Sequence, residues 1–337
     1  MAIPHPHLSA KSLRWISDQY FGMNGTFVET LGAPPTPLEF SRLAHVSRPV
    51  IIKGASSSTG ADWTNEYLTQ AMGQQRVSVS VTPNGRADSI TRGSDGKLYF
   101  TEPCTEQITM SELLGSLNDE ANQEVMYLQS QNGNLYTNDF FTTGTSSTEF
   151  EPLRKNVPSE VSWCSRAFGR PPDAVNLWIG NHKSHTSIHS DPYENIYTVV
   201  RGAKHFLLLP PTEGWCVQEH LHPHATYERS PEDGRLSLAP SNESVPPVRW
   251  ASVTDPHLPD SLPDGAHPIE VTLHAGDTLY LPVGWWHHVR QSHGVTIALN
   301  WWYDAEMAGG SWTWLSLLRG IEDEVATEED DVNTTAA

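Results

Sequence analysis

Cysteine is scarce. The 337-residue chain has only Cys104, Cys164 and Cys216, and no two of them form a CxxC pair. That spacing excludes a zinc finger and a disulfide framework, and it fits a reducing compartment. Basic residues are also few, with 21 Lys and Arg against 40 Asp and Glu, a net charge of −19. Lys and Arg carry phosphate binding, so no nucleic-acid partner is expected. An acidic surface suits a basic protein segment, or simply keeps the chain in solution. No run approaches the ~18 apolar residues of a membrane span, and "MAIPHPHLSAKSLRW" has no apolar core of signal-peptide length. A soluble protein of the cytoplasm or nucleus, without a membrane partner, is expected. A phosphate-binding Gly loop and a GxSxG nucleophile elbow are missing too.

What is present describes a globular chain with a sizeable core: 37% apolar residues, 9% aromatic, and 12 Trp. The first 120 residues mix helices and strands. Helical spacing runs through "LSAKSLRWISDQYFGM", "TPLEFSRLAHV" and "TMSELLGSL". "DWTNEYLTQAMG" predicts a helix from an Asp cap to a Gly stop. "RPVIIKG" and "RVSVSVTPNG" predict strands, the second with Val77, Val79 and Val81 on one face. From about residue 174 the rhythm changes to short runs rich in β-branched and aromatic residues, punctuated by Gly and Pro: "AVNLWIG", "NIYTVVRG", "KHFLLLP", "IEVTLHAG", "DTLYLP", "HHVRQS" and "VTIALNWWY". That pattern predicts a mainly β fold with flanking helices, an antiparallel sandwich or barrel. Three regions follow: residues 1–120 packing on the barrel, a barrel core over 121–305, and a C-terminal helix with an acidic tail over 306–337. Residues 210–268, rich in Pro, His, Asp and Ser, read as a long rim insertion inside the core.

The residues that carry chemistry begin with His189 and Asp191. Two apart on a strand, they point to one side and can present an imidazole and a carboxylate to one point. Two His and one carboxylate on one face of an octahedral metal is the arrangement of non-haem Fe(II) oxygenases. The second imidazole has two candidates, His287 and His288 in "GWWHHV". Neighbours on a strand face opposite ways, so one of them can join His189, and spacing does not choose. Lys204 stands alone in the apolar run "VVRGAKHFLLL", in phase with Phe206 and Leu208. A buried ammonium needs an anionic partner, and a dicarboxylate held by the metal at its other end would supply one. His182, His185 and His189 have helical spacing, but Thr186 stands where a zinc-protease helix needs Glu. His220, His222 and His224 read as solvated loop histidines.

"PDAVNLWIG", "HSDPYENIYTVVRGAKHFLLLPP" and "AGDTLYLPVGWWHHV", with matching segments over nearly the whole chain, resemble the Jumonji-C (JmjC) family of 2-oxoglutarate oxygenases. The resemblance implies a double-stranded β-helix, a jelly roll of the cupin kind. It implies Fe(II) as metal, held by His189, Asp191 and His287, so that His287 is chosen over His288. It implies 2-oxoglutarate as co-substrate, its distal carboxylate held by Lys204, fifteen residues after His189. Tyr127, Thr186, Asn195, Asn300 and Trp302 match co-substrate-pocket positions. The activity implied is hydroxylation of a protein, foremost (3S)-hydroxylation of a lysine in a translation-associated GTPase. A histone-tail endopeptidase using the same metal is the alternative, and another JmjC protein hydroxylase a further one. A demethylase is not expected, because demethylases usually carry reader or zinc modules. A homodimer through helices outside the barrel, "SWTWLSLLRGI" among them, is also implied.

Overall fold

The structure is a computed structural model and describes residues 8–55, 63–129, 135–136 and 148–319. Eight strands form its core: β1 Ala174–Gly180, β2 His185–Ser190, β3 Tyr193–Arg201, β4 Ala203–Leu209, β5 Ile269–His274, β6 Thr278–Leu281, β7 Trp286–Gln291 and β8 Thr296–Asp304. They make two antiparallel sheets, ordered β6-β3-β8-β1 and β5-β4-β7-β2. Every consecutive pair except β4–β5 crosses from one sheet to the other. This is the expected double-stranded β-helix.

The core strands look almost continuously apolar because both of their faces are covered. In β8, Ile297, Leu299, Trp301 and Tyr303 face outward to a cluster with Phe40, Leu113 and Leu117 from the N-terminal helices. Ala298 and Trp302, on the other parity, face the barrel interior with Trp178, Phe206 and Val289. The outward faces of β2, β4 and β7 offer Ile188, Leu207, Leu209 and Trp286 to a third cluster.

The N-terminal region extends both sheets. Val50–Ile52 pairs antiparallel with β6, and Glu29–Leu31 pairs parallel with it in turn. Arg86–Ala87 pairs parallel with β2. Helix Pro37–Val46 opens with a Thr36 capping box, and Met110–Asn118 with a Thr109 one. Helix Asn65–Met72 is capped by Thr64, whose hydroxyl accepts the Tyr67 amide, and not by the preceding Asp that the sequence suggested. Among the described residues no helix is long and apolar enough to cross a membrane.

Residues 210–268 differ from the predicted loop. They contain a 3₁₀ turn, Pro211–Val217, and four strands: Glu219–His222, His224–Arg229, Leu236–Pro240 and Val248–Ala251. The first pairs with the last, and His224–Arg229 runs parallel to Leu98–Glu102. Cys216, Val217, Ala251 and Val253 bury themselves on the third cluster, which holds the excursion in place. His220, His222 and His224 therefore lie in or beside sheets and are not loop residues. His222 is buried with Nε2 3.2 Å from Ser252 Oγ, and His224 Nδ1 is 2.7 Å from Ser241 Oγ.

The C-terminal helix runs Gly310–Arg319. Arg319 donates twice to Glu219, at 2.8 and 2.6 Å, and lies over the Trp286 ring. The acidic tail lies outside the described residues.

Candidate metal centre

β2 and β7 lie side by side, and His189 is the direct cross-strand partner of His287. Directly opposed residues share a face, so both imidazoles point into the barrel. His288, one residue on, faces the other way, towards His185 and His257. Asp191 is not on the strand as the sequence suggested. β2 ends at Ser190, and Asp191 begins the turn into β3, its carbonyl accepting the Gly284 amide at 3.1 Å. The turn still returns the carboxylate to the imidazoles. His189 Nε2 is 3.6 Å from Asp191 Oδ1, and His287 Nε2 is 3.7 Å from Asp191 Oδ2. The three donor atoms lie within 4.8 Å of one another.

Both rings are held by their other nitrogen. His189 Nδ1 donates to the Ser187 carbonyl at 2.8 Å, and His287 Nδ1 to the Trp285 carbonyl at 3.0 Å. These bonds fix the tautomer and leave each Nε2 lone pair facing the shared point. Burial, with His189 alongside, pushes His287 down to about 4, so it stays an uncharged donor near neutral pH. Burial and His257 push His288 to about 3.

One irregularity shapes the pocket. Thr186 pairs with Val289 while His189 pairs with His287, so β2 has an extra residue over that interval. In a regular strand residues three apart face opposite ways. The bulge lets Thr186 and His189 share the interior.

Tyr127, Thr186, Asn195, Asn300 and Trp302 line one cavity with His189, Asp191 and His287. Trp178, Tyr197, Phe206 and Val289 complete it; strand parity with Lys204 had pointed to Phe206, and nothing in the sequence singled out the other three. Asn300 is its polar hinge. Its Nδ2 donates to Asn195 Oδ1 at 3.1 Å, and its Oδ1 accepts from Trp178 Nε1 at 2.8 Å and from Asn176 Nδ2 at 3.2 Å. Tyr193 stacks on Trp302 with ring centroids 5.2 Å apart.

Lys204 points inward from β4 with Phe206 and Leu208, as its parity predicts, and is 0% exposed. It does not line the cavity itself. Its Nζ is 3.2 Å from the Tyr127 hydroxyl, which does, and which also bonds Thr186. Among the described residues no carboxylate pairs with Lys204. Burial alone pushes its ammonium down to about 7.

Trp250 has no signal in the sequence. It comes from strand Val248–Ala251 of the excursion, and its ring lies parallel to His189 at 8°, centroids 5.8 Å apart. Its Nε1 donates to Ser187 Oγ at 3.1 Å, and Phe100 packs against it. Ser187, whose carbonyl orients His189, also donates its hydroxyl to the Asp88 carbonyl. Asp88 has φ +51°, and burial, with Glu102 near, raises its carboxyl to about 6. One chain of contacts thus runs from the excursion to the first imidazole.

A jelly roll whose interior gathers two imidazoles and a carboxylate has the architecture of a cupin-type metalloprotein. Comparison with known proteins agrees. The pattern of the family described as Cupin-like domain matches residues 35–309, and the chain belongs to this family, on its JmjC 2-oxoglutarate oxygenase branch. Human "Bifunctional peptidase and (3S)-lysyl hydroxylase JMJD7" is 38% identical over 287 residues, 83% of this chain and 84% of that protein. Arabidopsis thaliana "Lysine-specific demethylase JMJ32" is 37% identical over 300 residues, 84% of this chain and 83% of that protein. Dictyostelium discoideum "JmjC domain-containing protein E" is 32% identical over 301 residues, 80% of this chain and 82% of that protein.

Proposed function

We propose that the chain is an Fe(II)- and 2-oxoglutarate-dependent protein hydroxylase acting on a lysine side chain. The observation that carries this is the fully buried Lys204 ammonium, without a carboxylate partner among the described residues, in the sheet that also holds His189 and His287. A hydrolytic metal centre needs a metal and water but no such cation. A keto-diacid needs both.

The residues present fit the implied groups. Two imidazole nitrogens and one carboxylate suit Fe(II). His189, Asp191 and His287 would hold it, and Lys204 with the Tyr127 hydroxyl would take the far carboxylate of 2-oxoglutarate. When bound, iron and 2-oxoglutarate supply the oxidative decarboxylation that drives hydroxylation of an unactivated carbon. The chain does the rest. The Ser187 and Trp285 carbonyls keep Nε2 of each imidazole aimed inward. Lys204, balanced near neutrality when alone, keeps its proton once an anion arrives. Asn195 and Asn300 fix the pocket's polar wall, while Trp178, Phe206 and Trp302 exclude water from it. The net charge of −19 favours a basic segment around the target lysine. A translation-associated GTPase is the first substrate to test. A homodimer is part of the same proposal, through the exposed Trp312 and Trp314 (47% and 64%) of the C-terminal helix, as is a cytoplasmic or nuclear location.

One finding favours a second reading. The sequence argument against a demethylase rested on missing reader modules, yet the relative named lysine-specific demethylase aligns over 83% of its own length. Incubation with iron, ascorbate and 2-oxoglutarate on lysyl and methyl-lysyl peptides separates the cases. Succinate with one oxygen gained on lysine supports the hydroxylase. Loss of methyl groups supports the demethylase. Cleavage that survives Lys204→Ala supports the peptidase. Absence of 2-oxoglutarate turnover on every peptide would sink the proposal.

A further inference from the structure

A second group of metal-binding side chains lies at the other end of the barrel. β2 runs towards the His189 mouth from a turn at residues 181–184, and β7 runs away from it to a turn at 292–295. His182 is on the first turn and His293 on the second. Glu120 joins them from the loop after helix Met110–Asn118. The two rings are 4.1 Å apart between centroids, tilted by 31°. His182 Nε2 is 3.7 Å from Glu120 Oε2. One donor atom from each of the three lies within 4.8 Å of the others, a bound the mouth triad also meets.

The backbone under these side chains is tied down. Lys183 Nζ donates to the carbonyls of Asp119, Glu120 and Asn122, at 3.3, 2.9 and 3.2 Å, fastening the Glu120 loop to the His182 turn. Asn181 Nδ2 donates to the Leu117 carbonyl at 2.8 Å, and its Oδ1 accepts the Lys183 amide at 3.0 Å. On the His293 side, Ser292 exchanges bonds with Ala203: its amide donates to the Ala203 carbonyl at 3.0 Å, and its Oγ accepts the Ala203 amide at 2.9 Å. His182 Nδ1 is buried without a hydrogen-bond partner among the described residues. Nε2, the nitrogen facing Glu120, is therefore not committed by any bond on the far side of the ring.

We propose that Glu120, His182 and His293 form a second metal site, distinct from the mouth triad, for a borderline divalent ion of the zinc type. Two imidazoles and a carboxylate are a standard ligand set for tetrahedral zinc, with water in the fourth position. Zinc–ligand distances of ~2.0–2.2 Å set donors roughly 3.4 Å apart. The His182–Glu120 pair at 3.7 Å needs a small closure; His293, within 4.8 Å, can need a larger one, and it and Glu120 (68% exposed) have room to rotate. The bound ion would clip three segments together at this end of the barrel, beside the start of the strand that carries Lys204.

Two features make this site weaker than the mouth. The Lys183 ammonium is 3.7 Å from Glu120 Oε2 and opposes a second cation. No backbone carbonyl fixes the His182 tautomer, a loss that commonly costs ~10–100-fold in metal affinity.

The test counts zinc. Metal-free full-length protein is dialysed against zinc and the bound metal measured per chain. Zinc also fills the mouth triad, so the wild type should hold two ions, His293→Ala one, His189→Ala one, and the double variant none. Zinc should raise the melting temperature of His189→Ala but not of the double variant. Glu120→Gln, at an exposed position, should weaken the second ion without removing the first. Two ions in His293→Ala, none in His189→Ala, or an ion retained by the double variant would each overturn the proposal.

Discussion

The mouth and the closed end of the barrel each bring two imidazoles and a carboxylate together, and the donors alone do not tell them apart. What surrounds them does. At the mouth, both Nδ1 atoms are committed to backbone carbonyls, and the carboxylate comes from a turn pinned by Gly284. At the other end Glu120 and His293 are exposed, His182 is half-buried, and its Nδ1 has no partner among the described residues. The lysines differ in the same way. Lys183 is satisfied by three carbonyls, whereas buried Lys204 has one phenol. The same donor types are held firmly at one end and loosely at the other, and their supports, not the ligands, make the difference.

The largest effect should come from the mouth imidazoles. His189→Ala or His287→Ala should abolish iron binding and 2-oxoglutarate turnover, while His293→Ala leaves turnover unchanged. Equal loss in all three would erase the distinction. Next is Lys204→Met. It should remove measurable 2-oxoglutarate binding by calorimetry, yet raise the melting temperature of ligand-free protein near pH 7, because a buried cation is replaced by an apolar chain. The pH dependence has a definite sign. Folding lowers the Lys204 pKa from 10.5 to about 7, so between those values the unfolded chain binds more protons. Wild-type stability should therefore rise with pH across that window relative to Lys204→Met. A flat difference across the window would mean that Lys204 is not buried in solution.

Trp250→Ala should come third. It removes the ring against His189 and the donor to Ser187, and should weaken iron binding by roughly 10-fold, at the low end of the effect of losing a ligand's supporting partner. Trp250→Phe keeps a ring and should recover most of the loss. The smallest effect belongs to Gly284→Ala. Gly284 has φ +77°, and a Cβ there would meet Leu315 of the C-terminal helix at 2.5 Å. The change should destabilise by more than ~1 kcal/mol and speed proteolysis of that helix. Iron affinity should fall less than in Trp250→Ala, because the substitution keeps the backbone amide that holds the Asp191 carbonyl.

Much of this was legible in the sequence where a residue conflicted with its surroundings. Lys204 stood out as a lone charge in an apolar run, and His189 with a later His as metal-binding types within strand patterns. The core strands were readable because β-branched and aromatic residues filled them. Strand spacing left His287 and His288 open; the family resemblance chose His287, and the register with His189 gives the physical reason. The bulge that turns Thr186 inward leaves no compositional mark. The strands of residues 210–268 were missed because each has only four to six residues, set among Pro, Asp and Ser turns. Trp250 reads as one more tryptophan among 12.

The β4–β5 connection is the one link that leaves and rejoins the same sheet. The long excursion it carries can be rewritten without re-threading the roll. Through Trp250 that same excursion touches the first imidazole. Any segment that replaced it would have to bring a flat ring back to His189, or the first imidazole would lose its lateral support.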